Sequence, residues 1–271
     1  MRKNLRSPRI IKKRRKKKIF KILFFLMAAI GFVFAPSFVS KNSNLQIKSI
    51  AVNGNSVVQT EEITNLVLRE ITGNFLHLYS KSNIFLYPQK TIERKLLEKF
   101  SRFNNAEVEI TDFNDLSVFV TEREPFALWC QSQDALACYF VDDDGYIFDK
   151  APDFSPNVYF TYFGEIQSSD SPVGSFMLNQ NEFSNSEAVI EGLKVLGFNP
   201  TGLKFTKKDG TVVLSNSTDI IFRLSDDASR TLSNFESVIN DPSLDLRNGN
   251  TLKARYFDLR FGNKVFYKKT E

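Results

Sequence analysis

ILFFLMAAIGFVFAPSFV, residues 22–39, runs for eighteen residues without a charge. Extended back to Ile19 across Lys21, whose amine reaches the interface along its methylene stem, the apolar stretch has twenty-one residues. As a helix it covers about 31 Å, the thickness of a bilayer's hydrocarbon core. Residues 1–21 hold twelve Lys/Arg and no Asp or Glu, and a basic flank of this kind stays in the cytoplasm. The expectation is a single-pass cell-membrane protein. It has a basic cytoplasmic tail (1–21), a transmembrane helix (22–39), a linker (40–44) and an extracytoplasmic remainder. The competing reading is a cleaved secretory signal, which has a short basic region, an apolar core of about 7–15 residues and a small-residue cleavage site. Here the basic region is long, the apolar stretch is of membrane length, and the nearest small triplet, Ala35-Pro36-Ser37, contains proline.

The charge must be divided before it is interpreted. The chain is +5 and its first 21 residues carry +12, which leaves −7 on residues 22–271. The run Lys12 to Lys18 has no aromatic residue interleaved before Phe20, so it offers no stacking platform for bases. Beside a membrane span it sets topology and attracts anionic lipid rather than nucleic acid. The 27 Phe residues point to real cores outside the membrane. Soft points are Lys41 to Asn44 and the polar stretch Gln167 to Ser186.

Residues 45–123 read as strand, helix, helix, strand, strand. Ile47, Ile50 and Val52 end at Asn53-Gly54-Asn55, a turn signal. Thr60 before Glu61 and Glu62 reads as a hydroxyl-capped helix start, and Ile63, Leu66, Val67 and Ile71 carry helical spacing. Pro88 opens a second helix with Ile92, Leu96, Leu97 and Phe100. Ala106, Val108 and Ile110 alternate, as do Leu116, Val118 and Val120 after the Asn114-Asp115 turn. Residues 124–267 read as mostly strands with two helices, Ser186–Leu196 and Ala228–Ile239. Asp209-Gly210, between Phe205 and Thr211, is read as a hairpin turn. The fold class is thus α+β.

Groups for catalysis are few. A histidine-based zinc site, a Ser-His-Asp triad or a Cys-His pair must all use His77, the one histidine, which lies in Phe75-Leu76-His77-Leu78-Tyr79 without a carboxylate near it in sequence. No phosphate-binding or dinucleotide glycine pattern occurs. Asp142-Asp143-Asp144-Gly145 lacks the alternation of a calcium loop and reads as a tight turn. Asp226-Asp227 precedes a helix and serves its positive end. The spacing of Cys130 and Cys138 would put them near each other across a hairpin loop, and in an oxidising compartment a disulfide is expected; in a reducing one they are buried thiols. No enzyme activity, cofactor, metal or small-molecule substrate is expected.

The chain resembles the FtsQ/DivIB family of bacterial cell-division proteins along nearly its whole length. Val52-x-Gly54 resembles the end of the first strand of that family's POTRA domain. Glu122-Arg123-x-Pro125-x-Ala127-x-Trp129 resembles its domain junction, and Val141-Asp142-x-x-Gly145-x-x-Phe148 the turn that follows. Tyr256-Phe257-Asp258-Leu259-Arg260-Phe261 resembles its last-strand signature. Two segments depart from the family pattern: the connection Gly73 to Tyr87 is longer and more apolar than usual, and Phe103-Asn104-Asn105 replaces a Pro-x-Val turn. The cysteine pair is also not a general family feature. The resemblance implies a POTRA domain (45–123), a strand-rich β domain (124–267), a short tail (268–271) and a non-catalytic divisome scaffold. It implies FtsB/FtsL-like partners bound by edge-strand pairing at Tyr256, Asp258, Arg260, Phe261, Gly262 and Lys264, with Arg260 and Phe261 at the contact positions. The alternatives are a structural ion pair for Arg260 with Asp258 or a neighbouring strand, and a core position for Phe261. Two other classes compete: a signal-anchored cell-wall enzyme, and a POTRA-bearing export component.

Overall fold

A computed structural model describes residues 8–155, 158–166 and 171–270. It is a mixed α+β protein with five α-helices among the described residues, divided into two compact units, Met1–Glu122 and Arg123–Glu271.

The first unit opens with α1 (Pro8–Ser40), a single helix that joins the basic segment to the apolar one. Its residues Arg15–Ser40 are long and apolar enough to cross a membrane, and Phe20, Phe25, Phe32 and Phe38 all stand exposed around it. A helix apolar on every side belongs in lipid or in a large core. There follow β1 (Ser49–Asn53), α2 (Thr60–Ile71), a small hairpin β2 (Asn74–Phe75) and β3 (Tyr79–Ser80), α3 (Gln89–Lys99), β4 (Phe103–Asp112) and β5 (Asp115–Glu122). The sheet order is β1-β5-β4, with β1 parallel and β4 antiparallel to β5. Ile63, Leu66, Val67 and Ile71 of α2 and Ile92 and Leu96 of α3 bury against Val108, Leu116, Val118 and Val120 of the sheet.

The start of α2 differs from the sequence reading. Gln59 occupies the cap position without a side-chain bond, while the hydroxyl of Thr60 accepts from the Asn55 amide at 3.0 Å. The preceding loop is held from across the sheet instead. The Glu122 carboxylate accepts from the backbone N–H groups of Ser56, Val57 and Val58 at 2.9 to 3.1 Å. Burial pushes the Glu122 pKa up, but these bonds outweigh it and hold the carboxyl below its ordinary range. Gly54 has φ +88°, and a Cβ there would lie 2.0 Å from the Val120 carbonyl oxygen, so only glycine fits this close approach.

The second unit contains β6 (Ala127–Cys130), β7 (Cys138–Val141), β8 (Tyr146–Lys150), β9 (Thr161–Phe163), β10 (Ser175–Phe176), α4 (Gln180–Val195), β11 (Pro200–Phe205) and β12 (Asp209–Leu214). It continues with β13 (Asp219–Arg223), α5 (Ala228–Ile239), β14 (Arg247–Asn248), β15 (Thr251–Leu252), β16 (Ala254–Phe261) and β17 (Lys264–Lys269). Ten of these strands form one sheet, ordered β10-β8-β7-β6-β9-β11-β12-β13-β16-β17. Val189, Ile190 and Leu193 of α4 and Phe235 and Ile239 of α5 share one core with Tyr162, Leu203, Val212, Ile220 and Phe257 of the strands. A smaller cluster gathers Leu128, Phe140, Phe148 and Ala151.

Helix α5 matches its expected range, but α4 starts at Gln180, six residues before the expected Ser186. Asn179 caps it, its side chain accepting from Glu182 N–H at 3.0 Å. The expected polar stretch from 167 is therefore helical from Gln180, and its residues 167–170 lie outside the described ones. The hairpin expected around Asp209-Gly210 is present, β11 pairing antiparallel with β12, but these two residues are not its turn. The loop is 206–208, and Asp209 and Gly210 begin β12, paired with Arg223 and Phe222. Gly210 is there for space, since a Cβ would lie 2.7 Å from the Phe222 ring. The expected tail from 268 is shorter, because β17 runs to Lys269.

Candidate partner-binding edge

The last two strands form a hairpin. Phe261 pairs with Lys264 across Gly262-Asn263, and Gly262 has φ +64°, a conformation glycine adopts without penalty. Asn234 of α5 donates its amide to the Gly262 carbonyl at 2.8 Å and ties the turn to the helix layer.

Strand β16 is not an edge, contrary to the expectation for Tyr256 to Lys264. It lies between β13, to which it is parallel, and β17, to which it is antiparallel. Alternation within a strand reports its faces but not its neighbours, which is why the sequence did not reveal this. The edge is β17, whose one sheet neighbour among the described residues is β16. Val265 and Tyr267 turn to the core, while Lys264, Phe266 and Lys268 alternate with them and are exposed.

Arg260 is a clamp within the sheet. It donates from Nε to Asp258 Oδ1 at 2.9 Å, from Nη2 to Asp258 Oδ2 at 2.7 Å and from Nη1 to Asp209 Oδ2 at 2.8 Å. It thereby joins β16 to β12 across β13. The Arg260 hydrogen bond holds the Asp258 carboxyl below the usual range against a burial penalty, and both carboxylates hold the guanidinium protonated. Tyr256 is half-buried. Phe261 is not in the core: it and Phe266 are each 51% exposed, with rings edge to face at 5.2 Å. Lys264 is exposed at the turn. Of the six residues expected at the contact, Phe261, Gly262 and Lys264 border the edge, and Asp258 and Arg260 are occupied by each other and by Asp209.

Cys130 and Cys138 stand directly opposite in the β6–β7 pair, with Cα atoms 4.5 Å apart and their sulfurs bonded. Replacing both by Ser is expected to lower the stability of this unit by about 2–3 kcal/mol, the value for closing a short loop. Denaturant unfolding of the double variant against the oxidised protein measures it; an unchanged midpoint would show that the bond adds nothing.

Two segments singled out in the sequence meet at the start of this unit. Asp142 is buried, and its Oδ1 accepts from Asp144 and Tyr146 N–H at 3.1 and 2.8 Å. Its Oδ2 accepts from Arg123 Nη1, and the Arg123 guanidinium lies 4.3 Å from the centre of the Tyr146 ring. The carboxylates of Asp142, Asp143 and Asp144 come within 4.8 Å of one another, yet both Asp142 oxygens already have partners, as a turn requires. Asp227 caps α5 through Arg230 N–H at 2.8 Å. His77 sits at the tip of the β2–β3 hairpin with φ 63°. The sequence did not reveal Glu187 of α4, whose carboxylate accepts from the hydroxyl of buried Tyr162. Those residues are 25 apart in the chain, and no local pattern joins them.

No protein-family model matches this chain, and no curated protein matches it.

Proposed function

We propose that the chain is a non-catalytic, single-pass membrane scaffold of the bacterial division complex, of the FtsQ/DivIB type. On this reading α1 crosses the cell membrane with its basic end in the cytoplasm, the first unit is a POTRA domain, and the second recruits FtsB/FtsL-like partners. The observation that carries it is the open edge of β17 at the end of a ten-stranded sheet. A long open edge invites aggregation unless guarded. This one is six residues long and carries Lys264, Lys268 and Lys269, which keeps it soluble and selects a partner strand with acidic flanks. Main-chain pairing would give affinity, and the exposed Phe261 and Phe266 would supply apolar anchors.

The test is capture of partners in dividing cells from a photocrosslinking residue at the exposed position 261, combined with proline substitutions in β17. Successive N–H groups on an edge strand alternate between its neighbour and the open side. One of Val265→Pro and Phe266→Pro therefore removes an outward donor while leaving the β16 ladder intact. That variant is expected to lose at least about tenfold in partner capture, a single anchor's worth. Arg260→Ala is expected to lower the stability of the second unit, because two carboxylates lose their partner, rather than to act only on binding. Wild-type capture by both proline variants, with the fold verified, would move the partner site away from β17.

A further inference from the structure

The segment that departs most from the expected pattern, 73–87, packs along the outer end of α1. Ser37 Oγ donates to the Leu78 carbonyl at 2.7 Å and Tyr79 Oη to the Val33 carbonyl at 3.0 Å. Asn83 Nδ2 donates to the Ser40 carbonyl at 3.1 Å, and Ser80 N–H to Ser40 Oγ at 3.3 Å. Ser37 and Ser40 are buried by this contact. We infer that residues 73–87 form an interfacial wedge that inserts Leu76 and Phe85 into the outer leaflet beside α1. The inference rests on the reading that α1 spans the membrane.

Depth comes first. A span over Ile19–Val39 places Val33 about 9 Å below its outer end, within the 5–10 Å reached by interfacial segments. The Tyr79 bond to Val33 therefore sets the hairpin against a stretch of helix that lies in lipid. The wedge's chemistry suits that depth. Residues 73–87 contain no Asp or Glu; Leu76 is 84% and Phe85 76% exposed. Lys81 lies 5.6 Å from the centre of the Phe75 ring, an arrangement in which the stem stays apolar and the amine meets phosphate. Tyr79 is of the type that gathers at membrane interfaces, whereas Tyr87 packs on the core of the first unit and donates its hydroxyl to the Val108 carbonyl.

Backbone groups must be paired before a segment leaves water. Asn74 pairs with Ser80 and Phe75 with Tyr79. Leu78 N–H donates to the Phe75 carbonyl, Lys81 N–H to the Gly73 carbonyl, and Leu86 and Tyr87 N–H to the Asn83 carbonyl, at 2.9 to 3.0 Å. The turn itself is telling. Leu76 and His77 both have positive φ, 47° and 63°, positions that Asn-Gly fills at less cost in water. A leucine held there and almost fully exposed is costly in water and favourable in lipid.

The test uses the full chain in nanodiscs of phosphatidylethanolamine and phosphatidylglycerol in equal parts. Nitroxide labels are attached to Leu76→Cys, Phe85→Cys or Phe32→Cys, and the native cysteines, being bonded, take no label. Collision with oxygen and with a water-soluble nickel chelate reports depth. Labels at 76 and 85 are expected to lose most nickel collisions and keep oxygen collisions, as does the label at 32. A lipid signal at 32 with free nickel access at 76 and 85 overturns the wedge and leaves the spanning helix intact. Low collision with both reagents at 76 and 85 overturns it in favour of a protein partner. Free nickel access at 32 removes the spanning reading, and the wedge with it.

Discussion

Asp142→Ala is expected to destabilise the second unit by about 3–5 kcal/mol, the cost of leaving one member of a buried ion pair without its partner. Three donors lose their acceptor at once: the Arg123 guanidinium and the N–H groups of Asp144 and Tyr146. Water is a poor substitute, because the side chains of Arg123 and Asp142 are only 16% and 4% exposed. Arg123 already has a buried Nε without a hydrogen-bond partner, so the carboxylate is what compensates its charge. For a unit of this size the change corresponds to a fall in Tm of about 10 °C. Asp142→Asn keeps an acceptor for the turn and is expected to cost less, which separates the turn's share from that of the charge. Thermal and denaturant unfolding of both variants measures this, and a loss under about 1 kcal/mol for the Ala variant would mean that the pair behaves as a solvated one.

Glu187→Gln is expected to stabilise the protein at pH 8 and to leave it nearly unchanged at pH 4.5. Burial against the sheet is the main cause that pushes the Glu187 pKa up to about 7; Glu191 adds to it and Lys194 opposes it. The folded protein therefore binds this proton more tightly than the unfolded chain does. The resulting stability is fully present below the unfolded pKa near 4.5 and is lost as pH rises through about 7. Over that window the difference is about 2–3 kcal/mol, allowing for partial exposure. Gln keeps an oxygen for the Tyr162 hydroxyl but carries no charge to bury. Denaturant unfolding of wild type and variant at the two pH values isolates this group from the other carboxylates. An equal difference at both would sink the assignment.

What the sequence revealed and what it concealed follow from the range of each interaction. α5 was legible because Leu232, Phe235 and Ile239 repeat on one face and Asp227 supplies the cap. The first turns of α4 were not, since Phe183 is the one large apolar residue between Gln180 and Ser186 and the helix is fixed there by its Asn179 cap and by packing. Asp209-Gly210 carries the composition of a turn but serves as a packing gap and an anion for Arg260. The disulfide was legible because its partners are eight residues apart on one hairpin. The strand expected to be an edge, β16, is internal because neighbours in a sheet are chosen by tertiary order. Asp258 and Arg260, which resembled guards of an exposed strand, satisfy each other inside it.

The parallel pairing of β1 with β5 has a consequence for synthesis. Ser49 and its partner Asp115 are 66 residues apart, and β5 is the centre of the three-stranded sheet, so neither β1 nor β4 has a ladder until β5 arrives. At ribosomal speeds those residues take about 3–13 s to make, and throughout that interval β1 waits unpaired beside a helix that has already been delivered. A chain broken off anywhere before Asp115 would keep its apolar helix and the small β2–β3 hairpin but none of the three-stranded sheet, which makes the first unit a checkpoint that only a nascent chain extended past β5 can clear.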